Sequence, residues 1–252
     1  LGYKRWGFFP HLSERLAEAG FHVLTISFSM NGTSDGTGRI DRPAEFARNT
    51  VSAELDDLRR VCRFIRDGGL ARAGAAGARG SRGLGLLGHS RGGAVALLAS
   101  REAPEVRSLV TWSTLGKLDR YTARRKIDWK RDGALIFSDE RAAEGLRLDY
   151  SYYEDIDAHR TSFDLVEAAA ALAIPHLMIH GERDQAVTLR EARLLAGAPR
   201  RSPFRFEVIR GAGHTYNVKH PMGRPTPALE QAVRSTSEWF ARTLAPQGKD
   251  AI

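Results

Sequence analysis

Apolar positions along this chain alternate between strand-like runs and helix-like stripes. Leu84-Gly85-Leu86-Leu87 is a short apolar run of the kind a buried strand makes, and 93–100, almost unbroken Ala, Val and Leu, predicts a helix packed against it. Phe8, Leu12, Leu16 and Ala19 recur at helical spacing and stop at Gly20, which predicts an amphipathic helix over 8–19. Residues 21–28 read as a strand. A long helix is expected within 45–66, with Val51, Leu55, Leu58, Val61, Cys62 and Ile65 on one face. Strands follow at 106–112, 175–181 and 206–209. Helices are expected at 164–173, 188–196 and 226–244, the last burying Leu229, Val233, Trp239, Phe240 and Leu244. Strands separated by helices predict an α/β domain, with a mostly parallel sheet flanked by helices.

The stretches between these elements differ in character. Residues 29–39 are rich in Gly, Ser, Asn and Asp and read as a loop, and 68–82 is a Gly/Ala/Arg-rich connector on the opposite edge, with no catalytic role. Residues 113–173 are the least regular part. They carry Trp129, Tyr150, Tyr152 and Tyr153, and 134–137 and 146–150 can pair as a hairpin around 139–145. At 252 residues the expectation is one domain over 1–252 with an insertion at about 113–173.

Candidate chemistry centres on Gly88-His89-Ser90-Arg91-Gly92. The motif lies between a predicted strand and a predicted helix, so a sharp turn pushes the Ser90 hydroxyl out above the strand ends, and flanking glycines relieve the crowding there. A serine nucleophile needs a base, and the base needs an orienting acid. Asp184 follows the strand ending in His180-Gly181, and His214 follows the next strand in the Gly-rich loop Gly211-Ala212-Gly213. Ser90, Asp184 and His214 therefore each follow a separate strand, on the edge where open α/β sheets build sites. Glu182 is the nearest competitor for the acid, and Asp157 and Asp164 compete only if the insertion folds unusually. His89 is read as a structural elbow residue, His220 as a local turn residue, and His180 as shaping the acid loop. The Arg91 N–H is the expected oxyanion donor. Its side chain is expected either to bind an acidic substrate or to bridge to the insertion. The tyrosine cluster is read as packing more than pocket.

With Trp6-Gly7-Phe8-Phe9-Pro10, Gly88 to Gly93, Ile174-Pro175 leading to His180-Gly181-Glu182-Arg183-Asp184, and Gly213-His214-Thr215 with His220-Pro221, the chain resembles the α/β-hydrolases. The resemblance is to the serine-hydrolase branch that groups dienelactone-hydrolase-like and serine-aminopeptidase-like proteins, and it is weakest over 115–172. It implies a cofactor-free Ser-His-Asp hydrolase for a carboxylic ester or related acyl bond, acting on a small-molecule acyl substrate, with 113–173 as a cap. It also implies strands ahead of the first helix, and a His-Gly pair just before Leu1 that supplies a second oxyanion donor. The expectation is that the chain is N-terminally incomplete, with Leu1 near Ser90. The rival readings are an acyl-peptide or aminopeptidase-type peptidase, in which Glu154 and Asp155 would hold a free amino terminus, and a non-catalytic binding protein on the same scaffold.

Composition narrows the partners. The formal charge is +8, but the arginines are spread along the chain with no basic helix or aromatic–basic motif, so no nucleic-acid partner is expected. No apolar run approaches the roughly 20 residues of a membrane span. The single cysteine, Cys62, excludes an internal disulfide and reads as a buried, inert thiol. The histidines show no metal-ligand spacing, and no dinucleotide fingerprint is present. The expected location is the cytoplasm, with an upstream targeting segment left open, and the oligomeric state is left open too.

Overall fold

A computed structural model describes residues 3–34, 38–74, 83–139 and 142–245. Four strands, β1 (Leu84–His89), β2 (Val106–Trp112), β5 (His176–Gly181) and β6 (Phe204–Ile209), form a parallel sheet in the order β1-β2-β5-β6. The register aligns their C-terminal ends: His89 sits opposite Trp112, Trp112 opposite Ile179, and Gly181 opposite Ile209. Whatever follows each strand is thereby brought to one edge.

Side chains alternate across the sheet, as a pleated strand requires. Leu109 and Met178 face a core shared with helices α3 (Val51–Arg66), α5 (Arg91–Ser100), α8 (Leu165–Ala171) and α9 (Leu189–Ala196). Val110, Trp112, Leu177 and Ile179 face a second core with α1 (Phe9–Glu18) and α10 (Pro227–Leu244). Trp112, Leu177 and Met178 are fully buried, and burial of such side chains is worth about 1.5–3 kcal/mol each. Helix starts follow short-range capping rules: Thr50, Asp164, Thr188 and Thr226 accept backbone N–H groups at the starts of α3, α8, α9 and α10.

The structure departs from the sequence expectations in three places. The long helix expected within 45–66 is α3, which starts only at Val51 because Thr50 turns extended and caps it through the Ala53 N–H, and the residues before it form a separate short helix, α2 (Pro43–Ala47). The irregular 113–173 stretch contains helices α6 (Ala123–Asp132) and α7 (Ser151–Ala158), flanking the hairpin β3 (Ala134–Asp139) and β4 (Ala142–Asp149). The charged sequence of α6 buries only Trp129, so its apolar period is nearly invisible. Third, residues 21–28 run without a ladder partner among the described residues, so the strand expected there does not join the sheet. A cavity of about 1470 Å³ separates them from the outer edge of β1 and reaches Ser90 and His214 at one end. A strand exists only with a hydrogen-bonded neighbour, and here the apolar pattern has none. The 68–82 connector begins with the short helix α4 (Gly69–Arg72), and the rest of it, like Leu1, lies largely outside the described residues.

Candidate active site

Ser90 stands between β1 and α5 with φ 56° and ψ −123°, a conformation non-glycine residues rarely adopt. Its N–H donates to the Trp112 carbonyl (2.8 Å), which ties the turn to the end of β2. Close packing explains two of the glycines around it. A Cβ on Gly88 would lie 2.2 Å from the Gly92 carbonyl oxygen, and one on Gly93 would lie 2.6 Å from Thr114 Oγ1. Gly92, the final glycine of the G-x-S-x-G motif, would meet nothing within 4 Å. The crowding is relieved at Gly88 and Gly93, and Gly92 takes no part in it.

The turn after β5 carries Asp184, whose side chain is buried. Its Oδ1 accepts the N–H groups of Ala186 (2.9 Å) and Val187 (2.8 Å), which leaves Oδ2 for His214. Burial pushes this carboxyl up, but the His214 and Val187 hydrogen bonds outweigh it and hold Asp184 below the usual carboxylate range. His180 lines the same turn, with Nε2 donating to the Val187 carbonyl (2.8 Å). Gly181 allows the His214 loop to close over the end of β5, since a Cβ there would sit 2.5 Å from the Ala212 carbonyl oxygen.

These supports produce one chain of hydrogen bonds. His214 Nδ1 is 2.8 Å from Asp184 Oδ2, and His214 Nε2 is 3.0 Å from Ser90 Oγ. Such an arrangement can move a proton from the serine hydroxyl to the imidazole while the carboxylate holds the ring. The N–H of Arg91 opens α5, where no intrahelical acceptor exists and the helix dipole favours negative charge.

The competing acids are engaged elsewhere. Glu182 accepts from the Gly211 N–H (2.9 Å), Asp164 caps α8, and Asp157 meets Arg160 on the surface. His220 is not the local turn residue expected from sequence. Its Nδ1 accepts the Gly7 N–H (3.0 Å), its Nε2 meets the Tyr3 hydroxyl (2.8 Å), and Trp6 stacks on its ring, so it ties the start of the chain to the far loop. The Arg91 guanidinium bridges to Glu54 of α3 (2.7 Å) instead of an acid in the insertion, with Tyr152 of α7 beside it at 5.7 Å. Glu54 is a site residue that sequence reading missed. Its signal was a carboxylate among the apolar positions Val51, Leu55 and Leu58 of α3.

The cavity at Ser90 is also lined by Leu115, Leu118, Tyr121, Phe137 and Tyr152 from 113–173. Trp129 is buried, and its ring packs with Tyr121, Tyr150, Tyr152 and Tyr153. Asp155 accepts from the Ser52 N–H and hydroxyl, which docks α7 onto α3, and Glu154 is exposed. Cys62 is buried and its thiol is pushed up to about 11 by that burial. Among the described residues no cluster of side chains has a metal-binding arrangement, and no helix is long and apolar enough to cross a membrane.

No protein-family model matches the chain, and no curated protein matches it. Its likeness lies in solved structures. Est1E from Butyrivibrio proteoclasticus, solved with ferulic acid bound, is 19% identical over 97% of this chain and 86% of that one, with a TM-score of 0.66. A monoacylglycerol lipase from Paleococcus ferrophilus is 16% identical over 93% and 89%, with a TM-score of 0.65. A dienelactone hydrolase from Anabaena variabilis is 18% identical over 93% and 78%, with a TM-score of 0.55. The chain has the α/β-hydrolase fold.

Proposed function

We propose that this chain is a serine hydrolase of carboxylic esters or related acyl bonds, with Ser90 as nucleophile, His214 as base and Asp184 as the orienting acid. The observation that carries the reading is the hydrogen-bonded chain Ser90–His214–Asp184, with Ser90 held in a strained turn at a helix start. Among the structural neighbours, a monoacylglycerol lipase and a dienelactone hydrolase lend support to acyl chemistry.

The mechanism follows from the geometry. His214 Nε2 takes the Ser90 proton as Oγ attacks the acyl carbonyl. Asp184 stabilises the imidazolium through Nδ1–H, and its two backbone bonds fix the direction of Oδ2. The developing oxyanion meets the Arg91 N–H at the positive end of α5. The imidazolium then gives its proton to the leaving alcohol, and the acyl group stays on Ser90. A water deprotonated by His214 releases the acid. The reaction calls on no cofactor.

Residues 113–173 act as a cap in this reading. Leu115, Leu118, Phe137 and Tyr152 give the acyl or alcohol group an apolar wall beside Ser90. The peptidase alternative draws less support, because Asp155 is spent on docking α7 to α3 and Glu154 is exposed. The test is labelling with a fluorophosphonate, followed by p-nitrophenyl esters of increasing chain length. Labelling at Ser90, with hydrolysis abolished in Ser90→Ala, is the expected result. A protein that folds but neither labels nor hydrolyses any ester would favour the binding-protein alternative.

A further inference from the structure

His89 ends β1 and directly precedes Ser90, yet its side chain reaches the other partner of the site. Its Nε2 lies 2.9 Å from the main-chain carbonyl oxygen of His214. A carbonyl only accepts, so Nε2 carries a hydrogen, and in the neutral ring Nδ1 is then the bare nitrogen. The two imidazoles stand with centroids 4.7 Å apart. Phe8, itself fully buried, meets the His89 ring edge-on at 5.2 Å, and Phe9 does so at 6.4 Å. Around the ring stand two phenyl rings, His214 and, beyond it, Asp184, and the half-buried side chain also borders the cavity. Burial, with help from His214 and against the pull of the His214 carbonyl, pushes His89 down to about 3. It therefore stays neutral across the pH range in which a serine nucleophile works, and adds no positive charge beside the imidazolium that forms on His214.

The His214 loop is held on either side of the base, by the Arg183 N–H on the Ala212 carbonyl (2.8 Å), the Gly211 N–H on Glu182 (2.9 Å) and the Thr226 hydroxyl on the Tyr216 carbonyl (2.6 Å), whereas the His89 bond ends on His214 itself. Its main chain turns sharply after the base, through Tyr216 (φ 55°) and Asn217 (φ 63°), and Gly213 is held by the Asn217 side chain (2.9 Å). The bond from His89 runs from the strand end that carries the nucleophile straight to the residue that carries the base.

We propose that His89 is a positioning residue for the His214 base. By donating Nε2–H to the His214 carbonyl, it sets the imidazole within reach of Ser90 Oγ. The proposal rests on the serine-hydrolase reading above. It assigns His89 a hydrogen-bonding role that a merely space-filling elbow residue would not have.

The experiment compares His89→Gln, which keeps an N–H donor, with His89→Met, which keeps the bulk without one. With p-nitrophenyl butyrate, His89→Met should lower kcat by about 10- to 100-fold, the scale of a small misplacement of a reacting group, and leave KM within about twofold. His89→Gln should recover most of that loss. Equal kcat in the two variants, or a His89→Met variant as fast as the parent, would overturn the proposal. A second measurement works on the unsubstituted protein and does not depend on either variant folding. Imidazole ¹⁵N resonances should show His89 protonated at Nε2, bare at Nδ1 and still neutral at pH 5. A neutral ring protonated at Nδ1, with Nε2 bare, would refute the bond. Failure of the parent to hydrolyse or label would count against the hydrolase reading, whereas the tautomer judges His89 by itself.

Discussion

The two sides of Ser90 are built very differently. Towards β2, β5 and β6 each strand end is tied to its neighbour: Ser90 N–H to Trp112, Ser113 N–H to Ile179, Glu182 N–H to Ile209 and Arg183 N–H to Ala212. On the other side no strand pairs with β1 among the described residues, and it faces a cavity of about 1470 Å³ and residues 21–28. Asp184 and His214 therefore sit on interlocked backbone, where main-chain hydrogen bonds fix where their side chains start. The wall across the cavity is held by side chains and helix packing. Chemistry is expected to depend sharply on the first side, and substrate selection on the second.

The largest effect separating the two sides should come from Ser90→Ala and His214→Ala. Each is expected to lower kcat by about 10³-fold or more while the melting temperature barely moves, as read by ester hydrolysis and calorimetry. Activity surviving in Ser90→Ala would break the comparison at its root.

The glycines sharpen it on the stability axis. Gly88→Ala and Gly93→Ala force a Cβ into the Gly92 carbonyl and the Thr114 hydroxyl, so each should cost about 1–3 kcal/mol of unfolding free energy in urea. Gly92→Ala meets open space at a helical position, and should be neutral within about 0.5 kcal/mol or slightly stabilising. A destabilised Gly92→Ala would mean that the motif's last glycine is needed for backbone freedom and not for room.

Acid should loosen the interlocked side. His176, in β5, is 1% exposed, and burial pushes it down to about 3. The unfolded chain binds this proton near the ordinary histidine value of 6.5, so between about pH 6.5 and 3 the unfolded state holds more protons and stability falls as pH falls. Asp184 acts in the same direction: its depressed carboxyl contributes stability above its unfolded value, lost as pH drops through the folded one. The contribution of His176 has a slope of up to about 1.4 kcal/mol per pH unit. Urea unfolding at pH 7, 6 and 5 measures it, and His176→Gln should flatten that part of the curve while keeping a partner for Thr111.

The smallest effects belong to the far wall. Tyr152→Phe should leave hydrolysis of a short p-nitrophenyl ester within about threefold and shift the preferred acyl chain length. Unchanged chain-length preference in Tyr152→Phe would remove that tyrosine from substrate selection.

The sequence by itself determined the four sheet strands, the turn at Ser90 and the order Ser90, Asp184, His214. These rest on short-range physics: apolar runs bounded by glycine, capping threonines, and polar side chains placed directly after strands. Tertiary structure decided the rest. Residues 21–28 have the apolar pattern of a strand, but a ladder needs a neighbour, and none pairs with them among the described residues. Helices α6 and α7 were hidden because two or three turns carrying one or two buried residues leave almost no period to read. The Arg91–Glu54 bridge, the reach of His220 to Gly7 and the bond from His89 to the His214 carbonyl join residues far apart in sequence. The last of these ends on a backbone oxygen, which every residue type carries, so only the folded chain could show which one His89 meets.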